Sequence, residues 1–236
     1  MKYLLSLTLL ALPLFSFGGP PVVTDDPFTP GKGNFDINIM YASYGGINAT
    51  EAPIIDINYG PTDTTEIKLE IVHVETSEHT LEVENFIETG IKWRFYDDGK
   101  LFISTFPQYA YIGIDKDHEH EDIEVITLPL QMSYKISESF GLTFESAYQI
   151  YITNHTPASV IELGAVFTYV PKEGIDIMLD INDKNDFKQI HRTSYLLGLK
   201  YPFYKNNISL LLSGGYASYK EHDNGTQGYA GLNFHF

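Results

Sequence analysis

The stretch "IETGIKWRF", residues 87–95, alternates in character along its length. Ile87, Ile91, Trp93 and Phe95 fall on one side of an extended chain, and Glu88, Gly90, Lys92 and Arg94 on the other. A period of two is the mark of a strand. The contrast is sharp, because one face is large and apolar while the other carries charge. "TEIKLEI", residues 65–71, repeats it, with Ile67, Leu69 and Ile71 opposite Glu66, Lys68 and Glu70. "FDINIMYAS" (35–43) sets Phe35, Ile37, Ile39 and Tyr41 against Asp36, Asn38, Met40 and Ala42. "YLLGLKY" (195–201) sets Tyr195, Leu197, Leu199 and Tyr201 against Gly198 and Lys200.

A soluble sandwich with one wet face also alternates. Three features favour a membrane-spanning barrel instead. Candidate strands lie near 35–43, 52–59, 64–74, 86–96, 101–112, 124–135, 141–152, 160–170, 174–181, 194–201, 207–218 and 227–236. That is an even set, as in bacterial outer-membrane barrels. Short turns such as "GPTD" (60–63), "DDGK" (97–100), "SESFG" (137–141) and "PKEG" (171–174) take turns with longer polar links at 75–85, 114–123, 182–193 and 220–227. Short periplasmic turns and longer external loops are the pattern of transmembrane barrels. The chain also stops on an alternating strand, "GYAGLNFHF" (228–236), whose last residue is Phe236. The expected fold is therefore all-β: a transmembrane antiparallel β-barrel of about 12 strands, within roughly 10–14, with both termini periplasmic. In hydrocarbon, strands can span only as a closed barrel, because every backbone polar group needs an internal partner.

Composition is consistent with this. The chain of 236 residues has no cysteine, a formal charge of −16 and 14% aromatic residues, with Tyr 17 and Phe 15. Such acidity argues against a nucleic-acid partner, since phosphate binding needs a basic surface. Lys2 followed by "YLLSLTLLALPLFSF" (3–17), with small residues at Ser16 and Gly18, reads as a cleaved signal peptide over 1–18. Residues 19–34 then form an extended Pro/Gly-rich segment, and 35–236 the barrel. The expected location is the outer membrane of a Gram-negative bacterium. Tyr41, Tyr59, Trp93, Tyr109, Tyr111, Tyr134, Tyr169, Tyr195 and Tyr201 sit near strand ends, where interfacial girdles form.

The segment "GPPVVTDDPFTPGKGNFDINI" (19–39) resembles the mature N-terminus of an outer-membrane barrel family named after the meta-pathway of phenol degradation. The likeness rests on Pro20-Pro21, Thr24-Asp25-Asp26-Pro27, Thr29-Pro30-Gly31 and the strand entry at Asn34. "ETGIKWRFYDDG" (88–99) is similar to a family segment in which Lys-Tyr-Arg-Phe runs into a turn, here with Trp93 in place of Tyr. "FPQYAYIG" (106–113) and "ITLPLQMSY" (126–134) also look like family strands. The resemblance implies a transporter, with aromatic solutes as the direction its name suggests.

The candidate lumen residues are Glu66, Lys68, Glu88, Lys92, Arg94, Glu145, Glu162 and Lys200, with Asp36, Asp56, Glu70, Asp176 and Asp180 in the same phase. They read either as a selectivity lining or as a cross-barrel ion-pair network, and networking is the favoured reading for most pairs. Asp25 and Asp26 read either as a constriction paired with Lys92 or Arg94, or as a flexible leader. "DKDHEHED" (115–122) is acidic, but His118 and His120 lack a second ligand pair at a recognised spacing, so no metal or cofactor is assigned. His155 and Ser159 match no hydrolase motif, so no catalytic residue is assigned. The expected function is a narrow channel or transporter for small hydrophobic or aromatic solutes, and not an enzyme. The alternatives are a structural or adhesive barrel whose acidic loops bind cations, lipopolysaccharide or a partner, and, third, a lipid-modifying enzyme. Membrane lipid and lipopolysaccharide are the expected surroundings, and the sequence sets no oligomeric state.

Overall fold

The computed structural model describes residues 22–44, 50–76, 82–116, 119–153, 158–172, 175–185, 191–204, 207–219 and 224–236. The expected signal peptide, Pro20, Pro21, His118 and His155 lie outside them. The described residues form β1 (Phe35–Tyr44), β2 (Thr50–Thr62), β3 (Thr65–Val72), β4 (Glu75–Thr76), β5 (Glu82–Asp97), β6 (Leu101–Thr105) and β7 (Gln108–Lys116). They continue with β8 (Glu119–Lys135), β9 (Phe140–Ile152), β10 (Ala158–Lys172), β11 (Ile175–Asn185), β12 (His191–Tyr204), β13 (Ile208–Tyr219) and β14 (Gly225–His235). β4 prolongs β3, and β6 and β7 are two halves of one stave, so the wall is a closed antiparallel barrel of twelve staves. Closure is made by β1 on β14, in register from Asp36↔His235 to Tyr44↔Gln227. A closed sheet leaves no strand edge unpaired, which is how a chain without cysteine holds a large sheet together.

The alternation sorts the side chains as the period of two requires. Leu69, Ile91, Leu128, Phe144, Leu163 and Leu197 are exposed on the outer wall. Phe234 shares their face, half covered, with its ring stacked on Phe236. Glu66, Lys92, Glu145 and Glu162 are buried inside, between 1% and 7% exposed, and Lys200 is half-buried in the same phase. At the short-turn end, two aromatic pairs stack on the wall. Phe35 stacks on Tyr59 at 4.6 Å and Phe140 on Tyr169 at 4.9 Å. The turn at 98–100 needs Gly99, whose φ is 84°. The amides of Leu101 and Lys100 donate to the Asp98 carboxylate, and these bonds hold its pKa below the ordinary value.

Two local expectations are corrected. The link at 114–123 is not a long loop, because β7 and β8 stay paired out to Lys116↔Glu119. β11 likewise runs to Asn185, and β12 begins at His191. Polar residues do not end a strand whose ladder bonds continue. The stave expected at 101–112 is also broken at Phe106-Pro107. Proline has no N–H to give to a ladder. Its carbonyl instead accepts from Ile91 N at 3.2 Å. Gly90 leaves the room, since a Cβ there would lie 2.8 Å from the Phe106 ring.

Phe236 fastens the seam. Its amide donates to Phe35 O at 3.0 Å, and Phe35 N donates to Phe236 O at 3.1 Å. Deleting Phe236 removes both bonds and a ring that is 65% exposed on the outer wall. The expected outcome is a reduced yield of heat-modifiable folded barrel on gels, with unfolded chain accumulating; a normal yield would show that the terminal residue carries no assembly signal.

Candidate functional site

The N-terminal segment threads the lumen rather than trailing from it. Glycine makes the entry possible. Gly33 N donates to Gly60 O at 2.7 Å, and Gly60 N to Asn34 O at 3.0 Å, while a Cβ on Gly60 would come within 2.1 Å of Gly31 O. Gly31 and Gly33 have φ of 89° and 81°, where a side chain would strain the backbone. Residues 22–25 then lie across the inside of the wall. Val23 N and Thr24 N donate to Asp180 Oδ2 at 2.8 and 3.2 Å, and Thr24 Oγ1 donates to Asp180 Oδ1 at 2.6 Å. Gly164 makes room for that threonine, since a Cβ there would fall 2.1 Å from Thr24 Oγ1.

Asp25 is the hub. Its amide donates to Glu145 Oε2 at 2.6 Å. Its carboxylate accepts from Lys92 Nζ at 3.2 Å and from Gln131 Nε2 at 2.9 Å. Lys92 also lies 3.6 Å from Glu66 Oε1, donates to Phe28 O at 3.2 Å and stands 4.9 Å over the Phe106 ring. Asp26 turns back on its own segment and accepts from Phe28 N at 2.8 Å. Burial pushes its carboxyl pKa up, against the pull of Lys92. Arg94 takes no part in holding Asp25. It donates to Asp63 O at 2.8 Å and lies near Asp97, because it sits one step closer to the short-turn rim.

The other candidates fall into separate groups. Lys68 joins Glu70 at 2.9 Å and Glu88 at 3.1 Å. Glu162 accepts from Gln149, Asn182 and Lys184. Lys200 faces Asp176 across β12 and β11 and lines a cavity with Asp25, Asp26 and Glu66. Towards the long-link end the lining becomes apolar. Met40, Ile54, Val72, Phe86, Ile112 and Val125 are inward and buried, and Val23 of the segment packs into the same cluster. Lys184 and Arg192 were missed by sequence reasoning because they fall in an expected loop. Carrying the period of two on from Asp180 through Asn182 would have placed Lys184 inside. Among the described residues, no group of carboxylates and histidines is arranged to hold a metal ion.

No protein-family model and no curated protein matches the chain. Solved structures do. An outer membrane channel from Pseudomonas putida F1 superposes with a TM-score of 0.68 at 10% identity, over 89% of this chain and 98% of that one. It has the fold of the outer-membrane β-barrels. The translocator domain of the autotransporter NalP from Neisseria meningitidis gives 0.60 at 12% identity, over 85% of this chain and 88% of its own. The KdgM porin, solved in complex with disordered oligogalacturonate, gives 0.58 at 11% identity, over 84% and 98%.

Proposed function

We propose that the protein is an outer-membrane channel for small hydrophobic or aromatic solutes, exported through a cleaved signal peptide, with the N-terminal segment as its constriction. The observation that carries this reading is the segment itself. Residues 22–25 are held across the lumen by Asp180, Glu145, Gln131 and Lys92, beneath an apolar lining. A solute entering from the long-link end would meet apolar side chains first and a charged, hydrogen-bonded floor second. Dispersion and burial favour an apolar guest that displaces or threads between such side chains. The resemblance of residues 19–39 to the phenol meta-pathway family supports aromatic compounds as the class. The neighbours that are porins and channels support passage rather than catalysis.

Planar-bilayer recording of the refolded protein tests the constriction. Changing Asp25 and Asp26 to Asn removes the charge that holds the segment to Lys92, and deleting residues 19–30 removes the segment. Both variants are expected to assemble as heat-modifiable barrels and to show higher conductance than the wild type. Uptake of a labelled aromatic acid or alcohol into protein-loaded vesicles is expected to rise in parallel. Unchanged conductance and unchanged uptake in the deletion would make the segment a leader and remove the basis of this reading.

A further inference from the structure

One row of inward side chains crosses five neighbouring strands. Asn233, Asn38, Asp56, Glu70 and Glu88 are successive cross-strand partners on β14, β1, β2, β3 and β5. Directly opposed residues on one face have Cβ atoms about 4.5–5.5 Å apart, and like charges so placed repel. Three carboxylates in sequence are therefore an unfavourable arrangement unless cations separate them. Lys68 serves two of them, at 2.9 Å from Glu70 Oε2 and 3.1 Å from Glu88 Oε1. Asp56 Oδ2 accepts from Asn38 Nδ2 at 2.8 Å and Asn58 Nδ2 at 2.9 Å, and Asn233 Nδ2 in turn donates to Asn38 Oδ1 at 2.8 Å. The amides orient the carboxylate without neutralising it.

Two oxygens remain. Asp56 Oδ1 and Glu70 Oε1 are buried and have no hydrogen-bond partner. They belong to residues that face each other in register and are only 3% and 1% exposed. Unpaired buried carboxylate oxygens are costly, and one positive charge between directly opposed residues serves both at once. Asp56 also lines a cavity of about 180 Å³, shared with Asp26, Asp36, Glu66 and Lys92.

We propose that Asp56 and Glu70 form a binding site for a small monovalent cation inside the barrel wall. A divalent metal is disfavoured, because among the described residues no group of three or more carboxylates and histidines is arranged to hold one, and divalent ions draw on several charged oxygen ligands. One added positive charge gives both free oxygens a partner and offsets the excess of carboxylates over Lys68. The site is separate from the contact that holds the N-terminal segment, so it stands whether or not that segment gates a channel.

The test is thermal unfolding of the refolded barrel in detergent, at constant pH and ionic strength, with choline chloride replaced stepwise by sodium, potassium or ammonium chloride. Choline carries the charge but is too bulky to sit between two carboxylates. A ligand that binds only the folded state raises its stability. The midpoint is expected to rise saturably, by about 3–11 °C for a chain of this size at a tenfold to hundredfold excess of cation over its dissociation constant. The Asp56→Asn/Glu70→Gln double variant keeps the side-chain shapes, and its midpoint is expected not to respond. Saturable broadening of the sodium-23 resonance by folded wild type, reversed by excess potassium or ammonium, reads the same site without any substitution. An equal response in the double variant, or no response of the wild type in either measurement, would overturn the proposal; the second result would assign the two oxygens to a shared proton.

Discussion

Lys92→Met is expected to lower the unfolding free energy of the barrel by about 3–5 kcal/mol, measured by urea titration of protein refolded in lipid vesicles. The substitution preserves most of the side-chain volume and removes the ammonium. Lys92 is 3% exposed and lies 3.2 Å from Asp25 Oδ1 and 3.6 Å from Glu66 Oε1. Both carboxylates would keep their burial and lose their cation. Breaking such a pair by removing one partner costs far more than the pair contributes, because an uncompensated charge stays behind. For the same reason, Asp25→Asn in the Lys92→Met background is expected to recover part of the loss, while Glu66→Gln recovers another part. The segment should also become sensitive to protease at residues 22–30, since Lys92 holds both Asp25 and the Phe28 carbonyl. A loss below about 1 kcal/mol, the range of an exposed ion pair, would mean that water reaches Asp25 and that the lumen floor is wet.

Leu197→Arg is expected to cost about 2–4 kcal/mol in the same assay, the penalty for a cation at the bilayer midplane on the lipid face of a barrel. Leu197 lies midway along β12, is 61% exposed, and is flanked in register by Leu179 and Gly214. Tyr195, Tyr201 and Phe203 continue the same outward apolar face along this strand. Leu197→Ala is the control for lost packing and should cost much less, because few side-chain contacts are removed from an exposed position. The same arginine in water would be nearly neutral, so a cost under about 0.5 kcal/mol would place this face in solvent and leave a secreted barrel.

The wall was legible in the sequence because its code is local. Strand geometry puts neighbours on opposite faces, so Ile91 and Trp93 declare one side and Lys92 the other within three residues. Charged side chains cannot lie in hydrocarbon unpaired, which fixes the sign of the alternation and makes a closed barrel the natural solution. Phe236 at the end of its strand belongs to the same local code. Strand ends were less legible: polar residues at 114–123 look like a loop, yet the ladder continues through most of them.

The partners across the lumen were not legible, because they depend on register and curvature. Sequence offered Asp25 both Lys92 and Arg94, which share a phase. The structure separates them by depth, leaving Lys92 under the segment and Arg94 at the rim beside Asp63. Glu145, Gln131 and Asp180 meet residues 23–25 from separations of 106 to 157 along the chain, and no spacing rule links such positions. The facing of Asp56 and Glu70 is likewise a consequence of hairpin register. The sequence by itself determined the alternation, the apolar outer face and the charged inner one, since these follow from a two-residue period and the solvent each face can tolerate. Which charges meet, where the N-terminal segment lies and which oxygens stay unpaired were decided only when closure of β1 on β14 brought distant strands around one lumen.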